Sequence, residues 1–250
     1  YGDIIALAKG FKIFALAKVI GEPIPINNSK ITEADTSKYG LPFTSWLRIR
    51  EAEIYELPEI EIVEYRHRRG VANLNKEPEK SLVIKYWKER NANFWIFQGT
   101  KKLFDFDRGF EENRIKTWSV NSHKDNIKAG DKGIIWLTGE ASGCYGIVTV
   151  TSDPAEMPDQ KDSDLWRSEN GGLFAVNIEF DYNLYLNPIS KEQIESYPEL
   201  SNLKVGNQGT NFTMTRNEFR TMEKIAQKNS NNQPKNMSRS SITALDRHFP

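Results

Sequence analysis

The chain has 250 residues, 34 basic and 34 acidic side chains, one Cys and three His, with a mean hydropathy of −0.61, a size for about one to two domains. Cys144 has no partner for a disulfide scaffold and fits a reduced, cytoplasmic setting. The longest apolar-rich stretch, Ile4 to Ile20, is broken by Lys9, Lys12 and Lys18, short of the roughly 20 apolar residues a membrane helix needs.

The balanced charge excludes a uniformly basic polyanion binder but leaves room for local basic faces. With 38% hydrophobic and 11% aromatic residues, the chain is not a disordered one. Tyr1-Gly2-Asp3 stands directly before an apolar run with no initiator Met, so the sequence reads as a fragment.

In chain order, Ile4–Leu7 and Ile13–Ile20 flank a turn at Lys9–Lys12 and read as a hairpin. Trp46-Leu47-Arg48-Ile49-Arg50 alternates as a half-buried strand does. Phe94-Trp95-Ile96-Phe97 reads as a strand that stops at Gln98-Gly99-Thr100. Ile134–Leu137 and Tyr145–Val150 form a second hairpin around residues 139–143. Phe174–Phe180 alternates again. Ser190 caps a short helix, and Thr215 with Glu218 has capping-box spacing ahead of a helix to Ala226. Asn229 to Ser241 is rich in Asn, Ser, Gln, Lys and Pro and reads as a linker.

Two passages share one order of elements. Gly2-Asp3, Ile4–Leu7, a turn, then Ala15–Ile20 and Gly21-Glu22-Pro23 form the first. Gly130-Asp131, Ile134–Leu137, a turn, then Gly146–Val150 and Asp153-Pro154 form the second. The fold class expected is α+β, mainly β: two copies of one small barrel-like unit, the first N-terminally incomplete. The divisions are residues 1–90, 91–228 and a linker over 229–250.

Chemistry for catalysis is sparse. There is no phosphate-cradling loop, and Cys and His are too few and scattered for zinc. His67, His123 and His248 lack partners at ligand or triad spacing. Asp105 and Asp107 with Lys101 and Lys102 come nearest to a nuclease cluster but do not make a convincing one. Residues 151–200 carry 11 acidic and 3 basic side chains, a solvated acidic face.

Basic residues cluster locally. Glu64 to Arg90 has 8 basic and 4 acidic residues, and Thr213 to Pro250 has 7 and 3. Such clusters either grip a polyanion or are simply solvated. Trp118 lies among polar residues, where it is either a plug over the core or a ligand platform. Trp166 is a second Trp in a polar loop. Two such indoles could hold a flat ring, since a base stacked on an aromatic gains about 1–3 kcal/mol. Gln98, Ser119 and Asn207 would then read its rim. Trp46, Trp87, Trp95 and Trp136 sit in apolar runs and read as core.

These residues carry a resemblance. Phe94–Phe97, Trp118-Ser119-Val120, His123-Lys124, Ile127–Leu137, Gly146–Val150, Asp153-Pro154 and the closing Asn207–Thr215 together resemble an EVE domain over about residues 92 to 226. EVE domains belong to the PUA-like superfamily and are similar to YTH readers. The resemblance implies a small β-barrel that takes a flipped, modified base, expected in prokaryotes to be 5-methylcytosine or 5-hydroxymethylcytosine in DNA. By position it implies Trp118 and Trp166 as cage aromatics, with Ser119, Gln98 and Gly99 at the base; Asn207 joins them as a candidate from its side-chain chemistry. Lys101, Lys102, Arg114, His123, Lys124 and Arg216 are expected along the nucleic-acid backbone.

The strands of the first copy are similar to N-terminal modules of recognition subunits in modified-cytosine restriction systems. That likeness implies a GTP-driven AAA+ motor and a nuclease subunit as partners. The residues themselves point to no cofactor and no metal. The whole is expected to be a binding module rather than an enzyme, with a modified-RNA reader as the alternative.

Overall fold

Residues 4–25, 48–66, 74, 77–120, 122–156, 163–167 and 174–231 are described by a computed structural model. The chain divides into two units, residues 1–91 and 92–250.

In the first unit, β1 (Ile4–Lys9) and β2 (Lys12–Val19) form the expected antiparallel hairpin, with Gly10 in the left-handed region at φ 63°. The short strands β3 (Ile24–Pro25) and β4 (Arg48–Ile49) pair with each other. The apolar and basic alternation from Trp46 thus yields two strand residues among those described, with Trp46 and Leu47 outside them. The longer partner of β2 is β5 (Ala52–Glu56), and β6 (Val63–Glu64) pairs beside it. His67 and Arg69–Ala72 also lie outside the described residues.

Helix α1 (Glu79–Lys88) was not expected from the sequence. Its Val83, Tyr86 and Trp87 recur at helical spacing and pack on Ile13, Leu16, Leu57 and Val63. The basic residues around them masked that stripe in a reading by charge.

The second unit is built on one curled eight-stranded sheet. Its elements are β7 (Phe94–Thr100), α2 (Phe106–Glu111), β8 (Thr117–Ser119), β9 (Lys132–Thr138), β10 (Gly143–Val150) and β11 (Ala155–Glu156). They continue with β12 (Phe174–Asn183), β13 (Ile189–Ser190), α3 (Lys191–Glu195), β14 (Asn211–Met214) and α4 (Arg216–Asn231). The strand order is β11-β12-β10-β9-β7-β14, with β13 beside β10 and β8 beside β12. Among the described residues only the β7–β9 pair is parallel, in register from Phe94 opposite Lys132 to Thr100 opposite Thr138.

The run Phe94-Trp95-Ile96-Phe97 is apolar throughout because both faces of the sheet are covered. Phe94 and Ile96 join Ile134, Trp136 and the α4 residues Phe219, Met222 and Ile225. Trp95 and Phe97 face the other way, with Ile135, Leu137, Phe106, Phe110 and Trp118. A bulge between Cys144 and Gly146 switches the parity of β10. Cys144 and Ile147 therefore share the α4 face, while Tyr145 and Val148 take the opposite one. Each fully buried aliphatic or Phe side chain in these layers contributes roughly 1.5–3 kcal/mol.

The Gly130-Asp131 pair seen in the sequence is a structural knot. Gly130 sits at φ 95°, which an L side chain rarely adopts. The buried Asp131 carboxylate accepts from Trp95 Nε1 at 2.8 Å, from the Asn93 amide at 2.9 Å and from the Lys128 amide at 3.0 Å. It thereby ties the start of β7 to the turn before β9.

The caps expected at Ser190 and Thr215 are present. Ser190 Oγ accepts from the Gln193 amide at 3.2 Å. Thr215 and Glu218 bond reciprocally, at 2.6 Å to the Glu218 carboxylate and 3.2 Å back to Thr215 Oγ1. Helix α4 continues to Asn231, so the residues expected to open a linker are its last turn.

Two strand assignments change. β7 runs through Gln98-Gly99-Thr100 rather than ending there, because β9 pairs it along its whole length. Trp118 lies in a strand, not a connection. β8 pairs with β12, placing Trp118 opposite Val176 and Ser119 opposite Ala175. Three residues flanked by polar side chains carry too little periodicity to read as a strand.

Candidate functional site

A cavity of about 580 Å³ opens in the second unit where β8 and β12 meet the segment that follows β7. It lies within the roughly 300–1,000 Å³ typical of small-molecule sites. Its aromatic lining is Phe104, Phe106, Trp118 and Trp166. Its polar groups include Thr117, Ser119, Ser152, Asn177 and Thr210, with Arg114 and Lys116 set against Asp153 and Glu156.

The aromatics are held in pairs. Trp118 stacks on Phe106 with centroids 5.6 Å apart and 29° between planes. Trp166 meets Phe104 edge-on at 5.2 Å and 79°, a favourable edge-to-face arrangement. Both indoles singled out from the sequence thus line one cavity. Trp118 is nevertheless only 7% exposed and also packs near Phe97, so it is core and cavity wall at once.

Gly99 is part of this wall. A Cβ there would stand 2.6 Å from Phe106 Cζ and 3.2 Å from Trp118 Cη2. Only glycine lets the strand approach the two rings so closely.

Gln98 and Asn207 do not line the cavity. The Gln98 amide instead holds the loop before β14. Its Nε2 donates to the carbonyls of Asn207 at 2.8 Å and Gly209 at 2.9 Å, and its Oε1 accepts from the Gly206 amide at 2.8 Å. Buried polar groups find partners, and here the partner is backbone. That loop brings Thr210 to the cavity.

Of the basic residues expected along a backbone, Arg114 alone lines the cavity. Its guanidinium forks onto Asp164 at 2.6 and 3.0 Å and also reaches Glu112 at 3.1 Å. Lys101 pairs with Asp107 at 2.6 Å, and Lys102 is exposed on the turn after β7. Lys124 Nζ stands 3.7 Å over the Phe174 ring. The Arg216 guanidinium lies 4.8 Å over Phe94. His123 has φ 61°, its ring tilted against Trp95 at 5.7 Å.

The carboxylates considered for a nuclease have other roles. Asp105 caps α2, accepting from the Arg108 amide at 3.2 Å, and pairs with Arg167 at 3.1 Å. Among the described residues no group of three or more His, Cys, Asp or Glu is placed to hold a metal ion, and no helix is long and apolar enough to cross a membrane.

Sequence reasoning missed Phe104 and Phe106 as walls, and Asn177 and Thr210 as polar lining. The aromatic alternation around Asp105 was visible, but only the bridge between Phe104 and Trp166 shows which ring Phe104 meets.

Four aromatic rings and a polar rim around one cavity, on a curled, mainly β domain, define the architecture of the site. The EVE domain profile matches residues 93–228, and the chain belongs to the EVE domain family. A search of curated proteins returns no match. Similar solved structures include Rpa0253 from Rhodopseudomonas palustris, 14% identical over 54% of this chain and 94% of that one, with a TM-score of 0.41. Another is human THYN1 protein in complex with 5-methylcytosine-containing DNA, 12% identical over 54% and 98%, TM-score 0.39. A third is the YTH domain of Zygosaccharomyces rouxii MRB1 protein in complex with N6-methyladenosine RNA, 14% identical over 54% and 85%, TM-score 0.38.

Proposed function

We propose that the second unit is a reader of modified DNA, taking a flipped 5-methylcytosine or 5-hydroxymethylcytosine into the cavity walled by Trp118, Trp166, Phe104 and Phe106. The observation that carries this reading is the convergence of those four rings on one cavity of about 580 Å³ in an EVE domain. A flat apolar ring gains stacking energy there, and that gain offsets the few kcal/mol needed to extrude a base.

Rim groups have chemistry suited to a pyrimidine edge. Asp153 and Glu156 can accept from an exocyclic amine of the cytosine type. Asp153 already accepts from the Ala129 amide at 2.9 Å through one oxygen, which orients the carboxylate. Ser119 and Asn177 supply further donors and acceptors. Lys101, Lys102, Lys124, His123 and Arg216 serve the phosphates, which position rather than specify.

The wider reading is a tandem of PUA-like units, residues 1–90 and 91–228, in a modification-dependent restriction protein in the cytoplasm. The likeness of the first unit's strands to recognition modules of such systems supports it. A GTP-driven AAA+ motor and a nuclease subunit are the partners of that reading. The chain itself acts by binding, not catalysis.

The test is direct binding of the 250-residue chain to one duplex sequence in three forms: unmodified, 5-methylcytosine and 5-hydroxymethylcytosine. An N6-methyladenosine RNA is the competitor. Preference for a modified duplex is the expected outcome. Preference for the RNA would transfer the site to RNA reading, and equal affinity for all would remove the assignment.

A further inference from the structure

Residues 163–167 carry Trp166 to the cavity and are attached to the segment after β7. The attachment has a backbone part. The Asp105 amide donates to the Leu165 carbonyl at 2.8 Å, and the Arg167 amide donates to the Leu103 carbonyl at 2.9 Å. Phe104 and Trp166 form a β-bridge between those bonds. Leu165 is fully buried.

The attachment also has an ionic part, centred on Asp164. Arg114 grips both carboxylate oxygens, and Arg108 reaches one of them at 2.7 Å. Glu112 spans the same two arginines at 2.8 and 3.1 Å. Two guanidiniums therefore share two carboxylates, one from α2's C-terminal end and one from the Trp166 segment. Isolated exposed pairs contribute little. A two-pronged arginine fork within a network is geometrically specific.

We propose that Asp164 is a positioning residue for the cavity: by bridging Arg114 and Arg108 it fixes the segment that presents Trp166 as an aromatic wall. Asp164 does not line the cavity itself, so its effect on a bound base passes through Trp166. Without it, the segment loses both arginine contacts at position 164 and is left to its backbone bonds and the Arg167–Asp105 pair. Arg114, expected from the sequence as a phosphate contact, has its guanidinium committed to this clamp. Hydrogen bonding from Arg114, then the nearby charge of Arg108, holds the Asp164 carboxyl well below the usual carboxylate range, as such a clamp requires. The inference rests on the reading that this cavity takes a modified base.

The experiment uses the full chain, Asp164→Ala, Trp166→Ala and the double variant. Affinity is measured for a duplex with one 5-methylcytosine and for the same duplex unmodified, alongside amide exchange at Asp105 and Arg167. Asp164→Ala is expected to weaken binding of the modified duplex about tenfold and leave the unmodified duplex unaffected. It should add nothing in the Trp166→Ala background, and it should speed exchange at both amides. Independent, multiplying losses would overturn the proposal, as would equal loss on both duplexes or unchanged exchange. If the parent chain does not distinguish the duplexes, the functional reading fails. Exchange then decides the clamp alone, faster exchange supporting it and unchanged exchange ending it.

Discussion

The Trp166 ring meets Phe104 edge-on, 5.2 Å between centroids, while the backbones of the same two residues form a β-bridge. One pairing therefore sets both the position and the tilt of a cavity wall. The other indole is different in kind. Trp118 is buried, stacked on Phe106 and set opposite Val176.

The two tryptophans should separate in mutagenesis. Trp166→Ala is expected to lower the preference for modified DNA about tenfold with little change in melting temperature, since the residue is partly exposed. Trp118→Ala is expected to lower stability by roughly 3–5 kcal/mol, as large-to-small changes of buried aromatics do. At 7% exposure, Trp118 is packed too deeply to be removed with the fold left unchanged. Denaturant titration and binding on both variants check this.

Gly99→Ala places a methyl group 2.6 Å from Phe106 Cζ. The ring is not a flexible chain end, so it must shift, and Trp118 stacked on it must follow. The expected cost is roughly 1–3 kcal/mol of stability, together with loss of modified-base preference. Thermal melting and duplex binding measure the two effects separately.

Asp131→Ala strips the acceptor from Trp95 Nε1 and from the amides of Asn93 and Lys128. Donors left unsatisfied in a buried position are expensive, so a loss of about 3 kcal/mol or more is expected. Urea unfolding is the measurement. Asp131→Asn, which keeps an acceptor oxygen, should lose less.

Burial pushes the Cys144 thiol up to about 12. The thiol form is not the nucleophile, and no reagent reaches a fully buried sulfur. Cys144 is the one cysteine in the chain, so alkylation near pH 8 should proceed only through opening of the fold. Its rate should rise with denaturant in step with unfolding. Rapid labelling under native conditions would contradict the burial.

Three carboxyls around the clamp sit below their ordinary range. Arg114 acts first on Asp164, Arg108 first on Glu112, and the Arg108 amide first on Asp105. For a carboxyl depressed by folding, the stabilisation is present above its unfolded value and is lost as pH falls through the folded one. The Trp166 segment should therefore stay attached across neutral and mildly acidic pH. Amide exchange at Arg167, corrected for its intrinsic pH dependence, is expected to show constant protection between about pH 5 and 8. A loss of protection near pH 6 would point to a different anchor.

Local chemistry made part of this protein legible in its residues alone. The hairpin of β1 and β2, the run Phe94–Phe97, and the caps at Ser190 and Thr215 follow from alternation, turns and hydrogen-bonding side chains acting over a few positions. Trp118 and Trp166 stood out for a related reason, since large indoles among polar neighbours need a special environment. Tertiary structure decided the rest, because it depends on partners far apart in the chain. Gln98 is satisfied by backbone more than 100 residues away, so its amide serves a loop and not a ligand. Phe104 becomes a wall only through its bridge to Trp166. Arg114 is claimed by Asp164, 50 positions on. Side-chain type announces what a residue can bond, but in a folded chain the nearest complementary group takes it, and sequence spacing does not say which group that is.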